Sequence, residues 1–135
     1  VAQRPDFAAA LTARIRSEDQ ATARDAMYLV GALEPPPAEV GEAVREQARR
    51  VVAIAKSIDP AAEDSRDQLY ERAHMLVTGV MAAAFGLRRA GVDIRPELAA
   101  MAAAARDPEK PGGDIVGGCE RIIAHFAKLD REAGR

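Results

Sequence analysis

Apolar residues along this chain recur at spacings of three and four, and nowhere do they alternate as in a half-buried strand. Phe7, Leu11 and Ile15 fall on one face of a first segment. A polar interval follows, and Ala26, Leu29, Val30 and Leu33 then resume the stripe. Asp6 is the expected N-cap. Ser17 and Gln20 have capping-box spacing, which favours two helices breaking near Ser17 over one helix with a polar waist. Pro35-Pro36-Pro37 closes this region, because proline donates no backbone hydrogen bond. Val40, Val44, Ala48, Val51, Ala55 and Ile58 mark an amphipathic helix over about 38–58, with Glu42, Arg45, Glu46, Arg49 and Arg50 on its outer face.

The stretch the rest is organised around is 69–87. From Ala73 to Leu87 its only polar side chains are His74 and Thr78. Leu69, Ala73, Leu76, Val80, Ala83 and Leu87 form one seam, Tyr70, His74, Val77, Met81 and Ala84 a second, and Met75, Ala82 and Phe85 cover a third side. A helix apolar on nearly every side belongs in the middle of a bundle. It is expected to start near Asp64 or Ser65 and to end at Arg88-Arg89, with Gly91 as its C-terminal cap. Gly79 and Gly86 each cost about 1 kcal/mol in a helix relative to alanine, and their expected use is to let another helix come close. Pro96 opens a short helix with Leu98 and Met101 inward, and 107–114 reads as a loop. Asp114 is then the expected cap of a last helix whose stripe is Ile115, Cys119, Ile122, Phe126 and Leu129, with Arg121, His125, Lys128 and Glu132 on the opposite, wet face. No internal repeat of solenoid period is present. These elements predict an all-α fold: a single compact helical bundle spanning 1–135, with five helices, or six if the first segment breaks, around a central helix at about 65–89.

Composition narrows the function. The hydrophobic fraction is 48%, much of it alanine, and aromatics are only 4%, so close helix–helix packing is favoured over a sheet sandwich. Charged residues reach 30%, yet the net charge is −2 and no basic stripe or aromatic platform exists, which argues against nucleic acid as a partner. One cysteine excludes an internal disulfide and suits a reducing compartment, so a cytoplasmic location is expected; Val1 is not an initiator methionine, which leaves room for a removed leader. No run is long and apolar enough for a membrane span.

Each candidate reaction centre has an ordinary counterpart. His74 has Tyr70 one turn before it and Val77 one turn after it on one seam. The stretch Ala73-His74-Met75-Leu76, with Gly79 and Phe85-Gly86 downstream, resembles the motif of histidine phosphotransfer domains over about fifteen residues. The family's lysine falls on Val77, its first glycine on Thr78, and the Phe-Gly pair is shifted by two. The resemblance implies a phosphorylated histidine at His74; the alternative is a core or rim histidine bonded to a neighbour. Glu71 and His74 have the i, i+3 spacing of di-iron bundles, but no second pair repeats it, so no metal and no cofactor is expected. Arg121 and His125 are spaced more closely than the Arg-x-His motif of small helical RNA-cleaving domains, and read as an exposed basic pair. Gly112 and Gly117 have the gap of a phosphate loop, but Gly118 and Cys119 stand where Lys and Ser/Thr are needed. Cys119 lies on a core stripe and reads as a small hydrophobe.

By elimination, the expected function is a non-enzymatic protein-interaction or regulatory module, either an adaptor or an inhibitor of the antitoxin or immunity type. The five segments offer more apolar seams than a minimal four-helix core needs, so one is left for a protein partner or for self-association as a homodimer. The surface is expected on 6–33 or on the short helix from Pro96. Two alternatives remain: phosphorelay through His74, and small-ligand binding in a cavity around Tyr70, His74, Met75 and Met81.

Overall fold

The computed structural model describes residues 5–107 and 112–134. Among them are six α-helices and no strand: α1 (Pro5–Ile15), α2 (Gln20–Ala32), α3 (Gly41–Ser57), α4 (Glu63–Arg89), α5 (Arg95–Ala105) and α6 (Gly113–Glu132), with a 3₁₀ turn, Ala38–Val40, leading into α3. The predicted all-α bundle is what forms, and the first segment does break in two. None of the helices is long and apolar enough to cross a membrane. Residues 108–111 of the expected loop lie outside the described residues.

The helices make three hairpins laid side by side in two layers. In one layer α4 has α2 on one flank and α6 on the other; in the second layer α3 lies between α1 and α5. Contacts along α2 and α4 rise together in residue number, Arg24 and Met27 lying beside Gly79, and Val30 beside Gly86. The same holds for α4 and α6, where Asp114 meets His74, Gly118 meets Met81, Phe126 meets Phe85 and Asp130 meets Arg88. The helices α2, α4 and α6 therefore run parallel. The three hairpins differ in length and composition, which is why no repeat is visible in the sequence.

The core lies between the layers. Ala73, Leu76, Val77, Val80, Ala83, Ala84 and Leu87 of α4 are buried there with Met27, Val30, Val44, Val51, Leu98, Met101 and Cys119. Leu69, expected in this seam, is only half-buried, since α4 extends past its neighbours at that end. Gly79 and Gly86 do admit another helix, and that helix is α2. A Cβ on Gly86 would lie 2.0 Å from the Val30 carbonyl oxygen, and one on Gly31 would lie 2.5 Å from that of Ala82. Arg89 then reaches across to donate to the Leu33 carbonyl at 2.9 Å and to that of Gly31, closing the C-terminus of α2. Gly91 caps α4 as expected. With φ +81 it lets Val92 N–H donate back to Leu87 O at 2.8 Å and its own N–H donate to Arg88 O at 3.0 Å.

Three caps differ from expectation. The helix α1 begins at Pro5, which places Asp6 inside the first turn, its Oδ1 accepting from Phe7 N–H at 3.1 Å. The cap of α2 is Asp19, whose carboxylate accepts from Thr22 N–H at 3.2 Å; Ser17 instead accepts from Asp19 N–H. The N-cap of α6 is Gly112, at a φ of +145 that favours glycine, and Asp114 turns toward α4. At the far end Arg88 and Arg95 share the Asp130 carboxylate at 2.7 and 2.9 Å, tying α4, α5 and α6 together.

Candidate functional site

The outward face of α4 is set by its own periodicity. With Val80 facing the core, Glu71, Thr78, Ala82, Phe85 and Arg89 point the opposite way, flanked by Met75 on the α2 side and His74 on the α6 side. Two open valleys run beside this ridge. Between α2 and α4 lies a groove of about 430 Å³, lined by Arg24, Tyr28, Tyr70, Glu71, His74, Met75 and Thr78. Between α4 and α6 lies a groove of about 390 Å³, lined by Met81, Ala82, Phe85, Gly118, Arg121, Ile122 and His125. The predicted single cavity is thus two grooves. Tyr70, His74 and Met75 share the first, whereas Met81 belongs to the second, because it turns toward α6 and Gly118 makes room for its sulfur.

Tyr70 and His74 converge on one carboxylate. The Tyr70 hydroxyl donates to Asp114 Oδ1, and His74 Nε2 lies 2.9 Å from Asp114 Oδ2. An ionised carboxylate only accepts, so Nε2 carries the proton and, in the neutral ring, Nδ1 holds the lone pair. Asp114 Oδ1 also accepts from Ile115 N–H at 3.0 Å. Burial works to raise the Asp114 carboxyl, but the Tyr70 hydroxyl, the neighbouring His74 and the Ile115 N–H outweigh it and hold it below the usual range. Burial, and then the bond to Asp114, push the Tyr70 hydroxyl up to about 12. The two rings are 5.8 Å apart, and the His74 side chain is 46% exposed. His74 is therefore a rim histidine, held by a partner and open to solvent.

Sequence spacing put Tyr70 beside His74 but assigned Asp114 to a cap, so the third member of the cluster was missed. Its only signal was an acidic residue following two glycines, and only the path of α6 brings it to α4. Across the first groove Tyr28 donates to Thr78 Oγ1 at 3.0 Å, and Thr78 in turn donates to Met75 O at 2.8 Å. In the second groove Phe85 packs edge-on to Phe126 at 5.2 Å and tilts toward His125 at 6.2 Å. Cys119 is buried and its thiol is pushed up to about 11, first by burial and then by Glu120, as befits an inert core residue. Among the described residues no group of three or more His, Cys, Asp or Glu side chains could hold a metal ion.

The largest exposed apolar side chains are Tyr28 (44%), Leu29 (43%) and Phe85 (37%). Tyr28 and Phe85 sit on the outer face of the α2–α4–α6 layer, whereas Leu29 projects from the side of α2 turned away from Gly31 and α4. The helix α5, expected to offer a free apolar surface, does not: Leu98, Met101, Ala102 and Ala105 are all buried. No family model, no curated protein and no solved structure matches this chain.

Proposed function

We propose that the protein is a non-enzymatic interaction module that works by protein–protein association through the outer face of the α2–α4–α6 layer. One observation carries this reading. The core is closed by six helices, yet Tyr28 and Phe85 remain outside on one side of one layer, next to half-buried Met75, Met81, Ala82 and Ile122. Exposed apolar side chains gathered on one face, with shallow valleys beside them, suit a partner's helices better than an enclosed ligand. Replacing Phe85 with a photo-crosslinking phenylalanine analogue in cells, with the same analogue at exposed Lys56 of α3 as control, tests it. The expected result is a discrete protein adduct at position 85 only. Equal labelling at both positions, or none at 85, would remove the proposal.

A second reading rests on the held and exposed His74. With Nε2 bound to Asp114, Nδ1 is the nitrogen able to attack a phosphoryl donor. In the transfer from an acyl phosphate, a P–N bond forms at Nδ1 as the P–O bond to the acyl group breaks and a carboxylate leaves. Incubation with acetyl phosphate followed by ³¹P NMR is the test. An acid-labile phosphoramidate signal that disappears in His74→Gln supports it, and a spectrum without such a signal dismisses it.

A further inference from the structure

We infer that the occupant of the α2–α4–α6 face is a second copy of the same chain, with the two α4 helices crossing antiparallel about a two-fold axis near position 80. This rests on the interaction reading above and names its partner. The first argument is charge. Because α2, α4 and α6 are parallel, their positive dipole ends lie at one edge of the face and their negative ends at the other. The side chains follow the dipoles: Glu71 and Asp114 lie toward the N-terminal edge, and Arg89, Arg121 and Lys128 toward the C-terminal edge, while Asp25, level with Gly79, is paired with Arg24 near the middle. Among the described residues Glu71 and Arg121 form no ion pair, and Arg89 bonds only to backbone carbonyls. A surface acidic at one end and basic at the other repels a parallel copy and attracts one turned end for end.

The second argument is register. Three outward pairs on α4 are symmetric about position 80: Glu71 with Arg89, Met75 with Phe85, and Thr78 with Ala82. An isologous contact, in which i meets j and j meets i, then sets Glu71 against the second copy's arginine at 89, about 27 Å separating the two ion pairs along the helix. Phe85 enters the valley beside Met75 of the other copy, and the small Thr78 and Ala82 occupy the crossing, where close approach is needed. The third argument is area. Three helices at spacings of about 8–10 Å and roughly 27 Å of length present a face near the ~800 Å² per partner of a standard interface, about a tenth of the 7342 Å² surface of the chain.

The test is sedimentation of the purified full chain from about 1 to 100 μM, the range of a modest homodimer, on wild type, Glu71→Arg, Arg89→Glu, the double swap and Phe85→Glu. A dimer whose dissociation constant rises at least tenfold in Glu71→Arg and in Phe85→Glu, and returns toward wild type when both charges are swapped in one chain, supports the proposal. Phe85→Glu and Glu71→Arg alter exposed positions, so they remain informative if Arg89→Glu disturbs the end of α2. A wild-type monomer at the highest concentration overturns it, as does a dimer indifferent to these changes. If the monomer result comes with a position-85 adduct to a different protein, the interaction reading stands and the second copy is ruled out. If the monomer comes with no adduct, both fall.

Discussion

Gly86→Ala is the substitution on which the packing argument is most exposed. By helix propensity alone it should stabilise α4 by about 1 kcal/mol, since alanine is the better helix former. The structure predicts the opposite sign. An added Cβ would sit 2.0 Å from the Val30 carbonyl oxygen, 2.8 Å from its carbon and 3.1 Å from Gly31 Cα. All three are backbone atoms of α2, so no side chain can rotate away. Ordinary contact begins near 3.4 Å, and α2 must therefore retreat by about 1.4 Å along much of its length, loosening Met27 and Val30 from the core. Overpacking costs about 1–3 kcal/mol in typical cores, and a rigid helix pair places this case at the upper end, so after the propensity gain of about 1 kcal/mol the net loss should be roughly 2 kcal/mol. Urea unfolding followed by circular dichroism would register it as a midpoint lower by roughly 1–2 M. Gly117→Ala is the matched control. Its Cβ meets only the tip of the Arg121 side chain at 3.1 Å, which can move, so it should gain as much as ~1 kcal/mol. If Gly86→Ala proved as stable as wild type, the close approach of α2 and α4 described above would be wrong.

Three further outcomes follow from the site and its supports. In a Tyr28→Phe background the remaining tyrosinate absorbance should rise with a midpoint near 12 and fall back toward the ordinary 10 in Asp114→Asn; a wild-type midpoint at 10 would mean that Tyr70 does not hold Asp114. Because that folded value is raised, the stabilisation from neutral Tyr70 is complete below about pH 10 and is lost as pH rises through 12, whereas that from the lowered Asp114 carboxyl is present above its unfolded value and is lost as acid protonates it in the fold. Thermal melts against pH should show both shoulders, and Asp114→Asn should reduce the acid one, to which the lowered Asp19, Glu46 and Asp93 carboxyls also contribute. His74→Ala should cost less than about 1 kcal/mol in urea unfolding, since an exposed pair contributes little; a larger loss would place the ring in the core. Gln47, the buried polar side chain of α3, donates from Nε2 to Ile15 O at 2.6 Å while its Oε1 finds no partner among the described residues. Gln47→Ala should cost about 1–3 kcal/mol by denaturant unfolding, because the last carbonyl of α1 loses its donor, and an unchanged midpoint would show that this bond carries no weight.

The helices were legible because burial here follows the 3.6-residue period closely. The stripe from Ala73 to Leu87, the inward Leu98 and Met101, and the wet face of Arg121, His125, Lys128 and Glu132 all lie where spacing puts them. The layer order was not legible. A stripe tells which side of a helix is buried and leaves open which neighbour buries it, so α5 looked free although α3 and α6 cover it. The caps were misread for a related reason. Ser17, Asp19 and Asp114 all have capping chemistry, and backbone geometry decides among them: at α6 the positive φ of Gly112 starts the helix and releases Asp114 to α4. That release also hid the candidate site, since Tyr70 and Asp114 are far apart in sequence and no periodicity links them. The glycines were read correctly because a glycine inside a strong helix has few uses besides close approach.

The seam between α2 and α4 has a consequence for how this sequence can change. Elsewhere the core is built of aliphatic side chains, and such cores absorb exchanges of similar volume through small repacking. Where Gly86 meets Val30 and Gly31 meets Ala82, backbone touches backbone, and that seam has no rotamers with which to adjust. It also orders no side chain, so its formation costs little conformational entropy beyond that of the two helices themselves. Variation in this protein should therefore be sharply uneven. Most buried positions can drift among hydrophobic residues over time, while Gly31 and Gly86 stay glycine. Any lineage that loses one of them must rebuild the way α2 and α4 meet.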